Sequence, residues 1–225
     1  MNTSIVYLED CVKGLKRFND KHFDLAIVDP PYGIGADTAQ NKAALQRINS
    51  GGKNKSGRGW RLYEDTNWDD ATPSQEYFDE LFRVSKNQII WGGNYFTLFL
   101  PPSNAWIVWD KMQREFSLAD GEMAWTSFDH VLKIFKLSRG EATVQHNKNG
   151  GRFHPTQKPE GLYEWLLQQY AYEGLNVLDT HLGSGTSRIA AYKAGVNFVG
   201  FEINETYYQK QENTFKKIIK QQNLF

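Results

Sequence analysis

Val177-Leu-Asp-Thr-His-Leu-Gly-Ser-Gly-Thr-Ser187 decides how the chain folds. A short apolar run ends on an acid, a glycine-rich turn follows, and a helical pattern runs from Thr186 to Lys193 before stopping at Gly195. Gly183 and Gly185 let the backbone approach a ligand closely. Amides at the helix start are expected to receive an anionic group. The next apolar run, Asn197 to Phe201, leads into Glu202, at the spacing of about 20 residues where doubly wound folds place an acid on ribose hydroxyls. The third glycine of the dinucleotide fingerprint is absent, Ile189 and Ala190 standing in its neighbourhood. S-adenosylmethionine therefore fits the turn better than a nicotinamide or flavin cofactor.

Working outward, Ser4–Leu8, Phe23–Val28, Gln88–Trp91, Ala105–Trp109, Val131–Phe135 and Asn176–Leu178 read as further strands, being short runs of β-branched or aromatic residues. Helices are expected after Thr72-Pro73 (inward Tyr77, Phe78, Leu81, Phe82), from Pro159 (Leu162, Trp165, Leu166, Tyr170) and after Asn204 (Tyr207, Tyr208, Phe215, Ile218, Ile219). Strands alternating with helices predict an α/β fold, a doubly wound and mostly parallel sheet with helices on both faces. The chain of 225 residues, 40% hydrophobic, suits a single domain over 1–225. Residues 33–67 read as a flexible basic loop and 111–152 as a small insert.

Asp29-Pro30-Pro31-Tyr32 follows the apolar strand that ends at Val28, and ligands of open α/β sheets sit at the carboxyl ends of strands. The two prolines fix φ and remove two amide donors. What remains is an edge of acceptors, the Asp29 carboxylate and the Pro30 carbonyl, beside the flat ring of Tyr32. Such an edge suits an aromatic amine, a poor nucleophile whose N–H groups must be held while its nitrogen attacks. The ring offers a stacking face worth about 1–3 kcal/mol to a base.

Lysine and arginine total 26, as do aspartate and glutamate, so net charge gives no nucleic-acid footprint. Distribution says more. Lys42, Arg47, Lys53, Lys55, Arg58 and Arg61 fall in a stretch with no acid and form a candidate phosphate clamp. Lys133, Lys136 and Arg139, with Lys148 and Arg152, form a second in the insert, which is the candidate target-recognition region. One cysteine and five unclustered histidines predict no metal site. No apolar run is long enough for a membrane span, so the expected location is the cytoplasm.

Taken together, Glu9-Asp10-Cys11, Asp29 to Tyr32, His154-Pro-Thr-Gln-Lys-Pro159, Asp179 to Ser187 and Glu202 resemble, in order, the motifs of β-type amino-group DNA methyltransferases. These are the adenine-N6 and cytosine-N4 methylases of phages and restriction–modification systems. The resemblance spans nearly the whole chain. It implies Asp29, Pro30, Pro31 and Tyr32 as the catalytic residues. For the cofactor it implies Asp10 and Cys11 at the adenine, Thr156 and Lys158 near the methionine carboxylate, and Asp179, His181, Gly183, Ser184, Gly185, Thr186, Ser187 and Glu202 around the turn. One departure stands out, because Thr180-His181 occupies the place of the family's Pro-Phe, and His181 either stacks in its stead or is an ordinary surface or packing histidine.

The resemblance implies transfer of a methyl group from S-adenosylmethionine to adenine N6 in double-stranded DNA, by direct attack of a flipped base. Asp at the first tetrad position favours adenine over cytosine N4 in enzymes of this kind. The short insert suggests a short target or a second subunit in a homodimer. An RNA adenine methyltransferase and a nucleic-acid-binding module without catalysis are the alternatives.

Overall fold

The computed structural model describes residues 2–35, 42, 45, 46, 48–50, 69–114, 119–148, 151–154 and 156–222. Its strands are β1 (Ser4–Leu8), β2 (Phe23–Val28), β3 (Ser85–Trp91), β4 (Ile107–Asp110), β5 (Gly121–Thr126), β6 (Lys133–Lys136), β7 (Asn176–Asp179) and β8 (Asn197–Glu202). They form one sheet in the order β1-β8-β7-β2-β3-β5-β4-β6. Only β5 runs against the rest, pairing antiparallel with both β3 and β4. The helices are α1 (Cys11–Leu15), α2 (Gln75–Val84), α3 (Arg139–Lys148), α4 (Glu160–Tyr170), α5 (Thr186–Lys193) and α6 (Glu205–Gln222).

Side chains alternate across the sheet, as the pleat requires. Leu25 and Ile27 of β2 join Ile89, Trp91 and the α4 residues Leu162 and Leu166 in one core. Ala26 and Val28 join Leu15 of α1 and Tyr77, Phe78 and Leu81 of α2 in the other. Apolar helices thus cover both faces. The expected doubly wound, mostly parallel architecture is what the chain adopts.

Local capping sets several boundaries differently from the expected ones. Ser74 rather than Thr72-Pro73 caps α2, its Oγ accepting from the Tyr77 amide at 3.3 Å. Helix α3 stands where Gly140 and Asn147 suggest turns. It forms on a capping box, with Ser138 Oγ accepting from the Glu141 amide at 3.2 Å and Glu141 Oε2 accepting from the Ser138 amide at 2.9 Å. Strand β5 is also an addition to the expected set, since its burial follows no period of two: Ala124, Trp125 and Thr126 are all buried. Two strands of the stretch 111–152 join the sheet, β5 between β3 and β4 and β6 at the far edge.

This topology assembles the site. Parallel strands deliver their carboxyl ends to one edge, which brings together Asp10 after β1, Asp29 after β2, Asp179 of β7 and Glu202 of β8. From β2 the chain proceeds to β3 on one side, whereas from β7 it proceeds to β8 on the other. The crevice between β2 and β7 is a topological switch point, where ligands bind in open α/β sheets. Because β5 is reversed, its amino end reaches this same edge, with Gly121 opposite Asp110 and Glu122 opposite Trp109. No helix among the described residues is long and apolar enough to cross a membrane.

Candidate active site

A cavity of about 480 Å³ opens at the switch point, within the range of roughly 300–1,000 Å³ usual for small-molecule sites. Asp10, Cys11, Thr156, Lys158, His181, Gly183, Ser184 and Glu202 line it, together with Asp29 and Pro31. Asp179, Gly185, Thr186 and Ser187 lie buried behind its wall. The two motif groups, far apart in the sequence, share one space.

The glycine turn is shaped from within. Gly183 and Gly185 adopt φ of +51° and +74°, and a Cβ on Gly185 would fall 2.9 Å from Gln211 of α6. The Gly183 amide donates to Glu202 Oε2 at 2.8 Å and the Gly185 amide to the Leu182 carbonyl at 3.0 Å. These two amides therefore hold the turn together. Glu202 also accepts from the Asn204 amide at 2.8 Å through Oε1. Both oxygens are anchored, so the carboxylate is held rigidly in the cavity wall while burial pushes its pKa up. Asp179 accepts from Ser187 Oγ at 2.5 Å and from the His181 amide at 3.0 Å. Burial among other acids lifts it to about 7.

His181 is no ordinary surface histidine. Tyr77 OH, Thr180 Oγ1 and His181 Nδ1 are linked at 2.8 and 2.9 Å, and Nε2 lies 3.9 Å from Cys11 Sγ. The ring meets Tyr77 edge-on, and burial lowers its pKa to about 4, so it is a neutral imidazole in the wall. Burial raises the Cys11 thiol to about 12, making it a packing group. Asp10 caps α1 through the Lys13 amide at 2.9 Å. Thr156 Oγ1 sits 3.3 Å from Nδ1 of His154, whose imidazole burial holds at about 3.

At the tetrad, Tyr32 OH donates to Asp29 Oδ1 at 2.8 Å. The Tyr32 and Gly33 amides donate to Asp69 Oδ1 at 2.6 and 3.0 Å. Asp69, which no sequence motif marks, thus pins the backbone just beyond the prolines. The Tyr32 ring lies parallel to that of Tyr95, with centroids 5.0 Å apart. The ring also meets Phe96 edge-on and adjoins Gly92 and the Lys158 ammonium.

Lys158, implied near the methionine carboxylate, lines the cavity and also reaches the tetrad. Its Nζ lies 2.5 Å from Asp29 Oδ2 and 3.2 Å from Glu122 Oε2, and it donates to Tyr32 OH at 3.2 Å. Burial disfavours the charge on Lys158, but the two carboxylates more than compensate and raise its pKa. Burial raises Asp29 in spite of this cation. No sequence signal marks Glu122, because its arrival here depends on the reversed direction of β5.

Of the candidate DNA contacts, Lys42 is exposed, while Arg47, Lys53, Lys55, Arg58 and Arg61 lie outside the described residues. Lys136 and Arg139 sit at the carboxyl end of β6, the site edge, and Arg139 Nε donates to Gln113 Oε1 at 2.6 Å. Lys133 is at the other end of that strand, on Gln169 at 3.1 Å. Among the described residues no group of three or more His, Cys, Asp or Glu could hold a metal ion.

The residues present suit S-adenosylmethionine: an anchored carboxylate at Glu202, a glycine turn with positive φ and a neutral imidazole line one cavity. Comparisons with known proteins agree. The chain is 23% identical over 231 residues to the type II methyltransferase M.HpaI of Haemophilus parainfluenzae, covering 89% of this chain and 70% of that protein. It is 22% identical to the type II methyltransferase M2.MboI of Moraxella bovis, covering 95% and 88% respectively. The structure of TTHA0409 of Thermus thermophilus complexed with S-adenosyl-L-methionine shares the fold, with a TM-score of 0.56, 17% identity, and coverage of 96% of this chain and 94% of that one. The family model for DNA methylases of the N6/N4 type matches residues 94–213. The chain belongs to the N6/N4 DNA methylase family and is an S-adenosylmethionine-dependent DNA methyltransferase.

Proposed function

We propose that the chain methylates adenine at N6 in double-stranded DNA, with Asp29 and the Pro30 carbonyl as the acceptors that hold the base amine. One observation carries this reading: the Asp29 carboxylate opens onto the cavity that Glu202 and Gly183 also line. An amine held at Asp29 is thus beside the cofactor. The matched family region begins at residue 94, beyond the tetrad, so Asp29 is assigned on this geometry and on its motif.

The cofactor supplies a methyl group on a sulfonium centre. Asp29 and the Pro30 carbonyl take the N–H groups of the amine and aim its nitrogen, so positioning and electrostatics supply the rate. The target base must leave the duplex to reach this depth. Tyr32 stacks on it, the base taking the place that the exposed Tyr95 ring holds. The Glu202 and Gly183 wall would hold the cofactor while its methyl group is given to the nitrogen, and the proton that the amine loses would pass to the Asp29 carboxylate. Adenine is favoured by Asp at the first tetrad position. The type II names of the relatives support a site-specific methylase of restriction–modification type acting in the cytoplasm. Lys42, Lys133, Lys136 and Arg139 are proposed phosphate contacts.

Incubation with labelled cofactor and duplex DNA, followed by nucleoside mass spectrometry, tests the assignment. N6-methyladenine is expected, and N4-methylcytosine would move the target to cytosine. Asp29→Ala should abolish transfer while leaving cofactor affinity near normal. Retained turnover overturns the role of Asp29.

A further inference from the structure

Beyond the tetrad, Asp29 belongs to a line of buried charges that continues into β5 and the end of β4. Lys158 Nζ stands between Asp29 Oδ2 (2.5 Å) and Glu122 Oε2 (3.2 Å), and the other Glu122 oxygen takes Lys111 Nζ at 2.6 Å. Two carboxylates and two ammonium groups alternate. The Lys158 and Lys111 side chains are 2% and 8% exposed, and those of Asp29 and Glu122 16% and 25%, so water screens the two ammonium groups weakly. Lys158 also lies 5.3 Å from the centre of the Trp91 ring and 5.7 Å from that of Tyr32, which restricts where it can move. Glu122 does not line the cavity.

We propose that Glu122, anchored by Lys111, is a positioning residue for methyl transfer: by sharing the Lys158 ammonium it sets the charge and the free lone pairs of the Asp29 carboxylate. The proposal rests on Asp29 as the acceptor of the base amine. An ammonium bound to Asp29 alone competes with that amine for Oδ2. With Glu122 drawing on the same ammonium, Lys158 keeps Asp29 ionised without monopolising it. Glu122 is itself held at about 2, burial being outweighed by the two lysines, so it stays charged through the working pH range.

The charged and titratable groups facing this set are Tyr32, Tyr77 of α2, Arg139 of α3, His154, Tyr163 of α4 and Asp179 of β7. Glu122 and Lys158 are in direct contact, and a Glu122→Gln substitution alters none of these other groups chemically. The glutamine keeps shape and an acceptor oxygen but removes the charge that raises the pKa of both Asp29 and Lys158.

The test is the pH profile of the single-turnover methylation rate with bound cofactor and duplex DNA. For Glu122→Gln the acid limb should move down by about one pH unit and the plateau fall on the order of tenfold, with cofactor Kd within about twofold of wild type. Lys158→Met should move the acid limb the opposite way, and Glu122→Asp should restore the wild-type limb. If Glu122→Gln fails to fold, Lys111→Met carries the test. Glu122 then draws Lys158 away from Asp29, and the acid limb should rise. An acid limb that stays put in the folded variant, or a rate loss matched by an equal loss of cofactor binding, overturns the proposal. Failure of the Asp29 reading is separate, since that appears as turnover in Asp29→Ala.

Discussion

Gly92, at the carboxyl end of β3, lies so close to Tyr32 that a Cβ there would fall 2.2 Å from Cε1 of the tyrosine ring. Its φ is +71°, a conformation that side chains with a Cβ disfavour. Gly92→Ala should therefore push Tyr32 off its hydrogen bond to Asp29. We expect methylation to fall on the order of a hundredfold, as misplacement of about 1 Å can cause. Gly92 does not line the cavity, so cofactor Kd should be unchanged by calorimetric titration. An active variant would show that the position of Tyr32 is not critical.

Asp69 anchors the tetrad from the other side, taking the Tyr32 and Gly33 amides on a single oxygen. Replacement by alanine leaves two donors without that partner, at roughly 1.5–3 kcal/mol for hydrogen bonds to a charged group. Asp69→Ala should lower the denaturant midpoint and the methylation rate together. Asp69→Asn, which retains an acceptor, should recover most of both.

Glu202 offers a third measurement. Its oxygens hold the Gly183 and Asn204 amides, so Glu202→Gln both weakens the turn and removes the charged acceptor from the cavity wall. Cofactor Kd should rise about ten- to a hundredfold, the equivalent of 1.5–3 kcal/mol. An unchanged Kd would remove Glu202 from the binding site.

His181 gives a pH dependence with a definite sign. Burial lowers its pKa from 6.5 to about 4, so the unfolded chain takes up a proton at higher pH than the folded one. Its contribution therefore destabilises increasingly as pH falls from 6.5 towards 4. His181→Phe removes this cost, so the stability difference between variant and wild type should grow in the variant's favour over that window. By pH 5 it should reach about 1–2 kcal/mol. Using the difference cancels the opposing contribution of Asp179, whose raised pKa of about 7 acts in the other direction. A flat difference between pH 7 and 5 would contradict the buried, neutral imidazole.

Lys136 and Arg139 stand at the site edge of β6 and are two of the proposed phosphate contacts. If each meets a phosphate, changing either to alanine should weaken binding to all duplexes alike. It should also reduce the slope of log affinity against log salt by about 0.9. An unchanged slope would exclude the residue from the DNA surface.

Much of this architecture is legible in the residues. The strand, acid and glycine turn at Val177 to Ser187, the acid at Glu202 and the strand ending on Asp29 each depend on a few contiguous residues, and the structure puts them at one sheet edge. Helix α3 carries a local signal as well in Ser138 and Glu141, but Gly140 and Asn147 mask it. What local pattern could not supply was the partnership of Lys158 with Asp29 and Glu122, or of Asp69 with the tetrad backbone. Those contacts follow from strand order and direction. Sequence determines which residues end a strand, through side-chain periodicity and turn chemistry, whereas only the packed sheet decides which ends become neighbours. The reversal of β5 illustrates the reason: it pairs between β3 and β4 by long-range hydrogen bonding, and that pairing carries Glu122 to Lys158 and Asp29.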